Sequence, residues 1–375
     1  MKPRAYYEAI ATLTGCIIGA GVLGIPYVVL RAGFWTGMLV LGVLGVCILL
    51  LHLMIGEIAL RTNACHQLVG YAEKYLGKRG RNLMLLSMII GVYGALTAYT
   101  IGIGNSLSIL FGGPIWMWMS VYYLLMSLIL FQGIGWLGRS ELGFESLKFG
   151  VFVLLALILF ASPYFSNVYF SGFSFERLLL PYGVILFAFL GTAAIPELHE
   201  QMRGCRLLTK RAILIGSLIP LVCYILFTIA VIGVSGPLTT QVATIGLLRF
   251  TGVAGSILLN AFAILAMGSS FLALGYALRE SYQDLGVPKW DAWALALAVP
   301  IVLLLIGVES FVRTLEVTGT FAGGITGILI VLMHWKASTS GERKPEYRIP
   351  SNWLLYGALI GVFAVGMAYE LILLV

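Results

Sequence analysis

The feature of this chain that most restricts its fold is a series of long, nearly charge-free apolar runs. The run 33–60, for example, contains Glu57 as its single charged residue. Over the whole chain 60% of the residues are hydrophobic and only 10% are charged, whereas soluble domains carry about 25% charged residues. A membrane-spanning helix needs about 20 mostly apolar residues. Because the runs are continuous and do not alternate, they exclude a membrane barrel and predict an all-α polytopic membrane protein.

The chain contains eleven such runs, separated by short polar stretches and by breaker clusters such as Gly112–Gly113–Pro114. We therefore predict a bundle of eleven transmembrane helices. The predicted spans are 6–31, 33–60, 82–111, 114–136, 143–163, 179–202, 211–234, 252–281, 290–308, 311–335 and 351–374.

The basic residues are distributed in a way that explains the net charge of +7. With the N-terminus in the cytoplasm, 18 of the 23 Lys and Arg residues fall on the cytoplasmic side, four fall outside, and Lys148 lies inside a span. This positive-inside bias predicts a cell-membrane protein with a cytoplasmic N-terminus and a C-terminus outside. The basic loops predict contact with anionic membrane lipids and do not indicate a nucleic-acid partner.

Motifs of other functional classes are missing from the sequence. The chain has no HExxH, GxSxG or P-loop motif, and its five cysteines lack CxxC or metal-ligand spacing. We therefore expect no enzyme activity, no metal and no cofactor. A channel with a pore loop and a sensor that binds a substrate without transporting it are the alternatives to a carrier. Neither a pore-loop pattern nor a signalling domain is apparent in the sequence.

Two predicted spans share an internal motif. Span 1 contains GAGVLGIPY and span 6 contains LGTAAIPEL. At an offset of 170 residues, the small residues and prolines of the two motifs coincide: Gly21 with Gly191, Gly24 with Ala194, and Pro26 with Pro196. The two spans lie five helices apart, and an odd number of helices reverses the chain direction. The motif therefore predicts two repeats of opposite orientation, 6–163 and 179–335, within a core of residues 1–335.

The matched motifs predict a break in each of these two spans. Proline removes a backbone donor and glycine tolerates non-helical conformations, so we place the breaks at Gly24 and Pro26 and at Gly191 and Pro196. Unwound backbone in a membrane is tolerated where it lines a cavity, and paired broken spans are a sequence indication of a transporter's substrate site. The alternative is that these small residues only allow helices to pack closely.

A resemblance to a known family rests on three segments. GAGVLGIPY resembles the first-span signature of the amino acid/auxin permease group, within the amino acid–polyamine–organocation superfamily. LHLMIGEIALRT with HQLVGYAEKYLG is similar to the second span and following loop of that group, and FAFLGTAAIPELHEQMRG resembles its sixth span. The resemblance extends from about Ala9 to about His334 and is nearest to the prokaryotic tryptophan/tyrosine (aromatic amino acid) permeases.

The resemblance implies a secondary active transporter with the inverted five-plus-five fold of the bacterial leucine transporter. Residues 336–375 are then a cytoplasmic loop and an appended eleventh helix. The resemblance also implies alternating access around a central site for an aromatic or other neutral amino acid. Proton-coupled uptake is the main expectation, and sodium-coupled transport and ion-independent exchange are the alternatives.

We expect the backbone of the two breaks to bind the amino acid. The N-terminus of a helix carries partial positive charge and free amides, so Gly19, Ala20 and Gly21 are predicted to bind the substrate carboxylate. The free carbonyls of span 6 are predicted to bind the substrate amine, and they belong to Phe187, Ala188 and Leu190.

Aromatic residues near the breaks are candidates for the side-chain pocket. We predict Phe189 and Tyr93 for this role, with Phe187 and Tyr99 as further candidates. The alternative for each is ordinary packing in the core of the bundle.

Lys148 is the most informative charge, because an ionisable side chain inside a span is costly. By resemblance it matches the fifth-span lysine of sodium-independent members of the superfamily, where the ammonium occupies the place of a structural sodium ion. Ser269 and Ser270 match the paired hydroxyls of a sodium site in sodium-coupled members. We predict that Lys148 contacts Ser269 or Ser270. The alternative is that Lys148 extends to the cytoplasmic interface.

Titratable residues near the cytoplasmic ends of spans 2 and 6 are candidates for a proton relay or an inner gate with Arg203: Glu57, Glu197, His199 and Glu200. The alternative for these residues is a solvated helix end. Three other acidic residues are expected to be interfacial or packing features: Glu309, Glu316 and Glu370. Between spans 2 and 3, HQLVGYAEKYLGKRG predicts a short amphipathic helix on the membrane surface.

Overall fold

A computed structural model describes residues 4–132 and 137–374, with the backbone alone considered at 137–147 and 253–254. All regular elements within these residues are helical. The first half contains α1 (Arg4–Ile17), a 3₁₀ turn (Ala20–Leu23), α2 (Ile25–Ala32), α3 (Phe34–Leu60), α4 (Leu68–Phe111), α5 (Ile115–Gln132) and α6 (Leu137–Phe160). The second half contains α7 (Tyr182–Ala188), α8 (Ala194–Gln201), α9 (Thr209–Ser235), α10 (Ala243–Gly246), α11 (Leu248–Asp284), α12 (Lys289–Leu305), α13 (Phe311–Thr318), a π turn (Gly319–Gly323), α14 (Gly324–Ser340) and α15 (Trp353–Leu374). Shorter 3₁₀ turns lie in the connections at Asn167–Tyr169, Arg206–Leu208 and Gly236–Leu238.

Helices occupy all eleven predicted runs. By length and composition, seven helices of the described chain are able to cross a membrane, or eight if α1 and the segment after it form one span with a 46° bend. The runs that fall short of this test contain α6, the pair α7 and α8, and α12. The count of eleven spans therefore stays a prediction, whereas the all-helical membrane fold is confirmed.

Two helix boundaries in the structure differ from the predicted ones, at α6 and at α4. Helix α6 begins at Leu137, not at residue 143, so Lys148 is the twelfth residue of a 24-residue helix. It therefore lies at mid-helix rather than near the start of the span. The predicted surface helix between spans 2 and 3 is present, but it continues into span 3 as one element, α4, with a kink at Gly77 (φ +72°).

The apolar face of this surface helix is covered by the protein itself. Tyr71 and Ala72 are fully buried, and the Tyr75 hydroxyl lies 2.7 Å from the hydroxyl of Thr62, at the end of α3. The segment therefore caps one end of the bundle.

The two breaks lie in the interior of the bundle. Helix α1 packs against α8 and α9, and α7 packs against α13 and the π turn that follows it. Helix α4 packs against α11, α13 and α14. Both interrupted spans are thus packed among other helices of the bundle, which is the environment that unwound backbone needs in a membrane.

Candidate functional site

The first break is a short non-helical segment in span 1. Helix α1 ends at Ile17, and Gly19 has an extended backbone (φ −110°, ψ −160°) before the 3₁₀ turn begins at Ala20. The Gly19 amide donates to the Ile17 carbonyl. The first amides of a helical turn lack partners within that turn. This applies to the amides of Ala20 and Gly21, and their predicted binding of a carboxylate stays a prediction. Gly24 caps the turn and Pro26 lies in the first turn of α2, where proline is tolerated.

The second break lies between α7 and α8 in span 6. Helix α7 ends at Ala188, and α8 begins at Ala194. Within the break the Leu190 amide donates to the Phe187 carbonyl at 3.1 Å, and the Ala194 amide donates to the Gly191 carbonyl at 3.1 Å. Pro196 lies in the first turn of α8, as Pro26 does in α2. Of the predicted positions, Gly24 and Gly191 lie outside the α-helices, whereas Pro26 and Pro196 lie in the first turn of the half-helix that follows each break.

The two breaks are in direct contact. A Cβ atom added to Gly21 would lie 2.7 Å from the Cα atom of Ala188 and 3.1 Å from the ring of Phe187. A Cβ atom at Gly191 would collide with the side chain of Ile17. Glycine at these two positions is therefore required for the close approach of the two interrupted spans.

A tyrosine that the sequence analysis did not select joins the two breaks. The hydroxyl of Tyr224, on α9, lies 2.6 Å from the carbonyl oxygen of Ile17 and 2.9 Å from that of Ala188. The Tyr224 side chain is fully buried. Each carbonyl is at the last residue of a half-helix, where the helix itself supplies no donor. The signal that would have found Tyr224 is a polar group in a span adjacent to a predicted break.

A small polar and aromatic cluster lies beside the breaks. A Cβ atom at Gly19 would be 3.7 Å from the hydroxyl oxygen of Ser270, and Ser270 lies within reach of the Tyr99 hydroxyl. The Tyr99 ring makes an edge-to-face contact with Phe187, with centroids 6.5 Å apart. Ser270 thus lies near Gly19 and Phe187 lies near Gly21, and Tyr99 contacts both of these side chains. Phe187 is half-buried.

The structure favours different aromatic residues from the two chosen for the side-chain pocket. The Tyr93 hydroxyl lies 2.7 Å from that of Tyr282 and donates to the Leu295 carbonyl at 2.9 Å, so it ties α4 to α11 and α12. Phe189 is buried against Tyr224, with ring centroids 5.0 Å apart. Along a helix, side chains six or two residues apart point in different directions. We therefore replace Tyr93 and Phe189 by Tyr99 and Phe187 in the candidate pocket.

Lys148 lies beside the first half of the broken span. Its side chain is 5% exposed and lines a cavity of about 190 Å³ together with Thr14, Gly15 and Ile18 of span 1. Because Lys148 lies at mid-helix and is buried, the alternative in which it extends to the interface is disfavoured. Its predicted contact with Ser269 or Ser270 stays a prediction. The Ser269 hydroxyl is 3.4 Å from the Ala266 carbonyl of its own helix.

Glu57, a candidate for the relay or gate, lies in a buried network near the C-terminal end of α3. It is fully buried and lies 2.8 Å from the Arg61 guanidinium and 3.0 Å from His334 Nε2. The Ile349 amide donates to it at 2.5 Å. Glu57 thus joins α3 to α14 and to the loop that leads to α15. His334 was not identified from the sequence, because its partner is 277 residues away.

The other gate candidates lie on α8 and just after it. Glu200 pairs with Arg203 at 3.1 Å, and both side chains are more than half exposed. The Gln201 amide lies 3.4 Å from Glu197. His199 is buried, with its Nδ1 atom lacking a hydrogen bond from the described residues. The pair of Glu200 and Arg203 is local to one helix end and does not bridge two spans. The relay or gate stays a prediction.

The described part of the chain contains no group of three His, Cys, Asp or Glu residues placed to hold a metal ion. The candidate site is instead made of backbone polar groups, aromatic rings, hydroxyls and one buried ammonium. Such a site is suited to binding a small zwitterion by dipoles, with few buried charges.

Comparisons with known proteins agree with this geometry. Two relatives from Haemophilus influenzae are named Tyrosine-specific transport system 2 and Tyrosine-specific transport system 1. The chain is 25% identical to each of them, over 96% of this chain and 95% of the first relative, and over 89% of this chain and 88% of the second. A relative from Aliivibrio fischeri, named Glutamine transporter 2, is 24% identical over 97% of this chain and 96% of its own length.

A solved structure described as the inward-facing conformation of Mhp1 has the same fold. It superposes with a TM-score of 0.64 and covers 98% of this chain and 89% of that chain, at 13% sequence identity. At this identity the likeness concerns the fold alone. It indicates that the arrangement of helices around the two breaks is shared with that protein.

The family is established by a match over nearly the whole chain. Residues 3–372 match the model of the tryptophan/tyrosine permease family. This match confirms the expectation that the chain is a permease and not an enzyme. The chain belongs to the tryptophan/tyrosine permease family.

Proposed function

We propose that this protein imports an aromatic amino acid, with tyrosine as the first choice, across a cell membrane. The proposal rests on family membership together with one structural observation, the direct contact of two broken spans at Gly21 and Ala188. The names of the two tyrosine-specific relatives support the choice of substrate. The glutamine transporter relative supports another neutral amino acid as the second candidate.

In this proposal the substrate lies at the two breaks. Its carboxylate accepts hydrogen bonds from the amides of Ala20 and Gly21, and from that of Gly19 once the Gly19 amide releases the Ile17 carbonyl. Its ammonium donates to carbonyls of Phe187, Ala188 and Leu190. The Ala188 carbonyl is already near Tyr224, but a carbonyl oxygen has two lone pairs and can accept a second bond. The ring of the substrate packs against Phe187 and Tyr99.

Transport in this proposal proceeds by alternating access of two inverted repeats of five helices, with α15 as an appended eleventh span. The N-terminus lies in the cytoplasm and the C-terminus outside, as the positive-inside bias indicates. Each break separates two half-helices, so one half can tilt while the other stays packed. A 46° bend already separates the two halves of span 1.

We propose that the energy for uptake comes from protons and that Lys148 replaces a structural sodium ion. The buried position of Lys148, beside Thr14, Gly15 and Ile18 of span 1, supports this assignment. An ammonium there would repel a cation bound at Ser269 and Ser270. Sodium-coupled transport and ion-independent exchange are the competing outcomes of the test.

The test is uptake of labelled tyrosine, tryptophan and glutamine into liposomes that contain the purified protein. Each amino acid is tested with an inward proton gradient, an inward sodium gradient, and neither gradient. We expect tyrosine to be concentrated by the proton gradient alone. Accumulation that requires sodium would overturn the role of Lys148, and no uptake of any amino acid would overturn the proposed function.

A further inference from the structure

We propose that Glu316 and Glu370 form a proton-binding pair, held by Arg313, through which transport responds to the pH outside the cell. The proposal rests on transport by this chain, as proposed above, and concerns a site separate from the two breaks. The positive-inside bias places this end of the bundle on the outer side. Neither acidic residue was given a functional role from the sequence.

The pair is defined by one nitrogen atom shared between two carboxylates. Arg313 Nη1 lies 2.9 Å from Glu316 Oε2, on the same helix, and 2.7 Å from Glu370 Oε1, on α15. The Glu370 side chain is 2% exposed and the Glu316 side chain 14% exposed. Arg313 is 37% exposed, so water from the outer side reaches the cluster at the Arg313 guanidinium.

The charges of this cluster do not balance when both acids are ionised. One guanidinium then faces two carboxylates, which leaves one negative charge in a largely buried place. Two carboxylates that share a site cannot both ionise without repulsion, and burial disfavours the charged form further. Binding of a single proton makes the cluster neutral. The other titratable groups that face it are Tyr369 on α15 and Tyr182 on α7.

Two buried polar atoms at this place lack hydrogen bonds. Glu370 Oε1 is close to Arg313 Nη1 but receives no well-aligned hydrogen bond from the described residues. The Tyr182 hydroxyl, on a side chain that is 3% exposed, also has no partner in the described chain. The Tyr182 ring packs against Gly366, one helical turn before Glu370 on the same face of α15. A protonated Glu370 would itself carry an O–H donor.

The cluster is connected to the substrate site through α7. Glu316 precedes the π turn Gly319–Gly323, and a Cβ atom at Gly319 or at Gly183 would collide with the backbone of the facing helix. The α13 segment and α7 are therefore in backbone contact. Helix α7 ends at Ala188, in the second break. Because packed helices move as rigid elements, a change in the ion pairs of Glu316 shifts the half-helix that forms the substrate site.

Proton exchange at this pair forms and breaks a single O–H bond on a carboxylate. A proton from the outer water adds to a carboxylate oxygen of Glu316 or Glu370, and Arg313 keeps the other carboxylate as its partner. When the outer pH rises, the proton returns to the outer water and Arg313 again faces two anions. Raised outer pH is thus expected to favour a different position of α7 and to lower the rate of tyrosine exchange.

The test is the rate of tyrosine exchange in liposomes at varied outer pH with the inner pH fixed, and then with the two sides interchanged. We expect wild-type exchange to change at least about threefold between about pH 8 and about pH 5 outside. The change should be less than about twofold in the variants Glu370→Gln and Glu316→Gln. Glu309→Gln, an exposed acid shortly before Arg313 in the chain, is the matched control and should behave as wild type.

A second measurement keeps the proposal testable if the variants exchange poorly. Infrared difference spectra between acid and neutral pH should show the carbonyl band of a protonated carboxylic acid in the wild type, and Glu370→Gln together with Glu316→Gln should remove it. Unchanged spectra, or a pH response that follows the inner solution, would overturn the proton pair. Absence of tyrosine exchange in the wild type with the infrared band present would instead overturn the proposed function and leave the proton pair standing.

Discussion

The hydroxyl of Tyr224 lies 2.9 Å from the carbonyl oxygen of Ala188, at the end of the first half of span 6. It also lies 2.6 Å from the Ile17 carbonyl at the end of the first half of span 1. One tyrosine proton is therefore shared between the two breaks. Because the hydroxyl carries a single donor, it satisfies one carbonyl fully at a time.

We expect Tyr224→Phe to weaken transport and stability together. The substitution keeps the ring and leaves the Ala188 carbonyl without its hydroxyl donor, whereas the Ile17 carbonyl keeps the Gly19 amide. An unsatisfied buried acceptor costs about 1–3 kcal/mol. The thermal midpoint of the purified protein and its tyrosine affinity should both fall. Tyr122→Phe is the control, because the buried Tyr122 hydroxyl has no hydrogen-bond partner among the described residues. Equal behaviour of the two variants would show that the Tyr224 hydroxyl does not stabilise the two breaks.

Gly21→Ala is expected to abolish tyrosine transport. The new Cβ atom would lie 2.7 Å from the Ala188 Cα atom, and backbone at that distance must move apart. Gly42→Ala on α3 has open space around it and serves as the control. Uptake by Gly21→Ala at the wild-type rate would show that the two breaks do not need to touch.

Lys148→Met is expected to remove proton-driven uptake of tyrosine while the protein still folds. The neutral side chain fills similar space but lacks the ammonium beside the first half of span 1. The measurement is accumulation under a proton gradient and its pH profile, with the exposed Lys210→Met as control. A wild-type pH profile in Lys148→Met would exclude the lysine from the mechanism.

Glu57→Gln separates a structural role from a gating role. Removing one partner of a buried ion pair costs about 3–5 kcal/mol, and Glu57 holds Arg61, His334 and the Ile349 amide together. We expect a large fall in the thermal midpoint at neutral pH, where the Glu57 carboxylate is paired. A stable variant that loses only the pH dependence of uptake would favour the proton relay instead.

The loop between α14 and α15 gives a pH-dependent prediction. The Asn63 amide, at 2.7 Å, and then the Lys74 ammonium hold the pKa of the Glu342 carboxyl below its ordinary value of 4.5. A carboxyl whose pKa is lowered by folding adds stability above its unfolded pKa and loses it as the pH falls through the folded value. Wild type should therefore exceed Glu342→Gln in thermal midpoint at neutral pH, and the difference should vanish under acid conditions below that value. The exposed Asp284→Asn is the control and should show no such difference.

The breaks and the helical runs were predictable because they depend on local chemistry. Gly21, Gly24 and Pro26 disfavour continuous helix wherever they occur, and their match with Gly191 and Pro196 is visible in the sequence alone. The lengths of the apolar runs likewise indicate membrane spans directly, because the thickness of the bilayer sets how many residues a span needs. Lys148 was recognisable as a charge within such a run, but its burial was not, because the run was predicted to begin only a few residues before it.

The neighbours of each residue were decided only by the tertiary structure. Tyr99 rather than Tyr93 reaches Phe187, because the direction of a side chain around a helix depends on which helices surround it. Tyr224 contacts carbonyls 207 and 36 residues away in the chain. No pattern in the sequence indicates that these residues are in contact. The sequence by itself therefore determined that the chain forms an all-helical membrane protein, and it indicated which two predicted spans are interrupted. The packing of helices determined which polar groups meet there, because contacts across the bundle join residues that no local pattern relates.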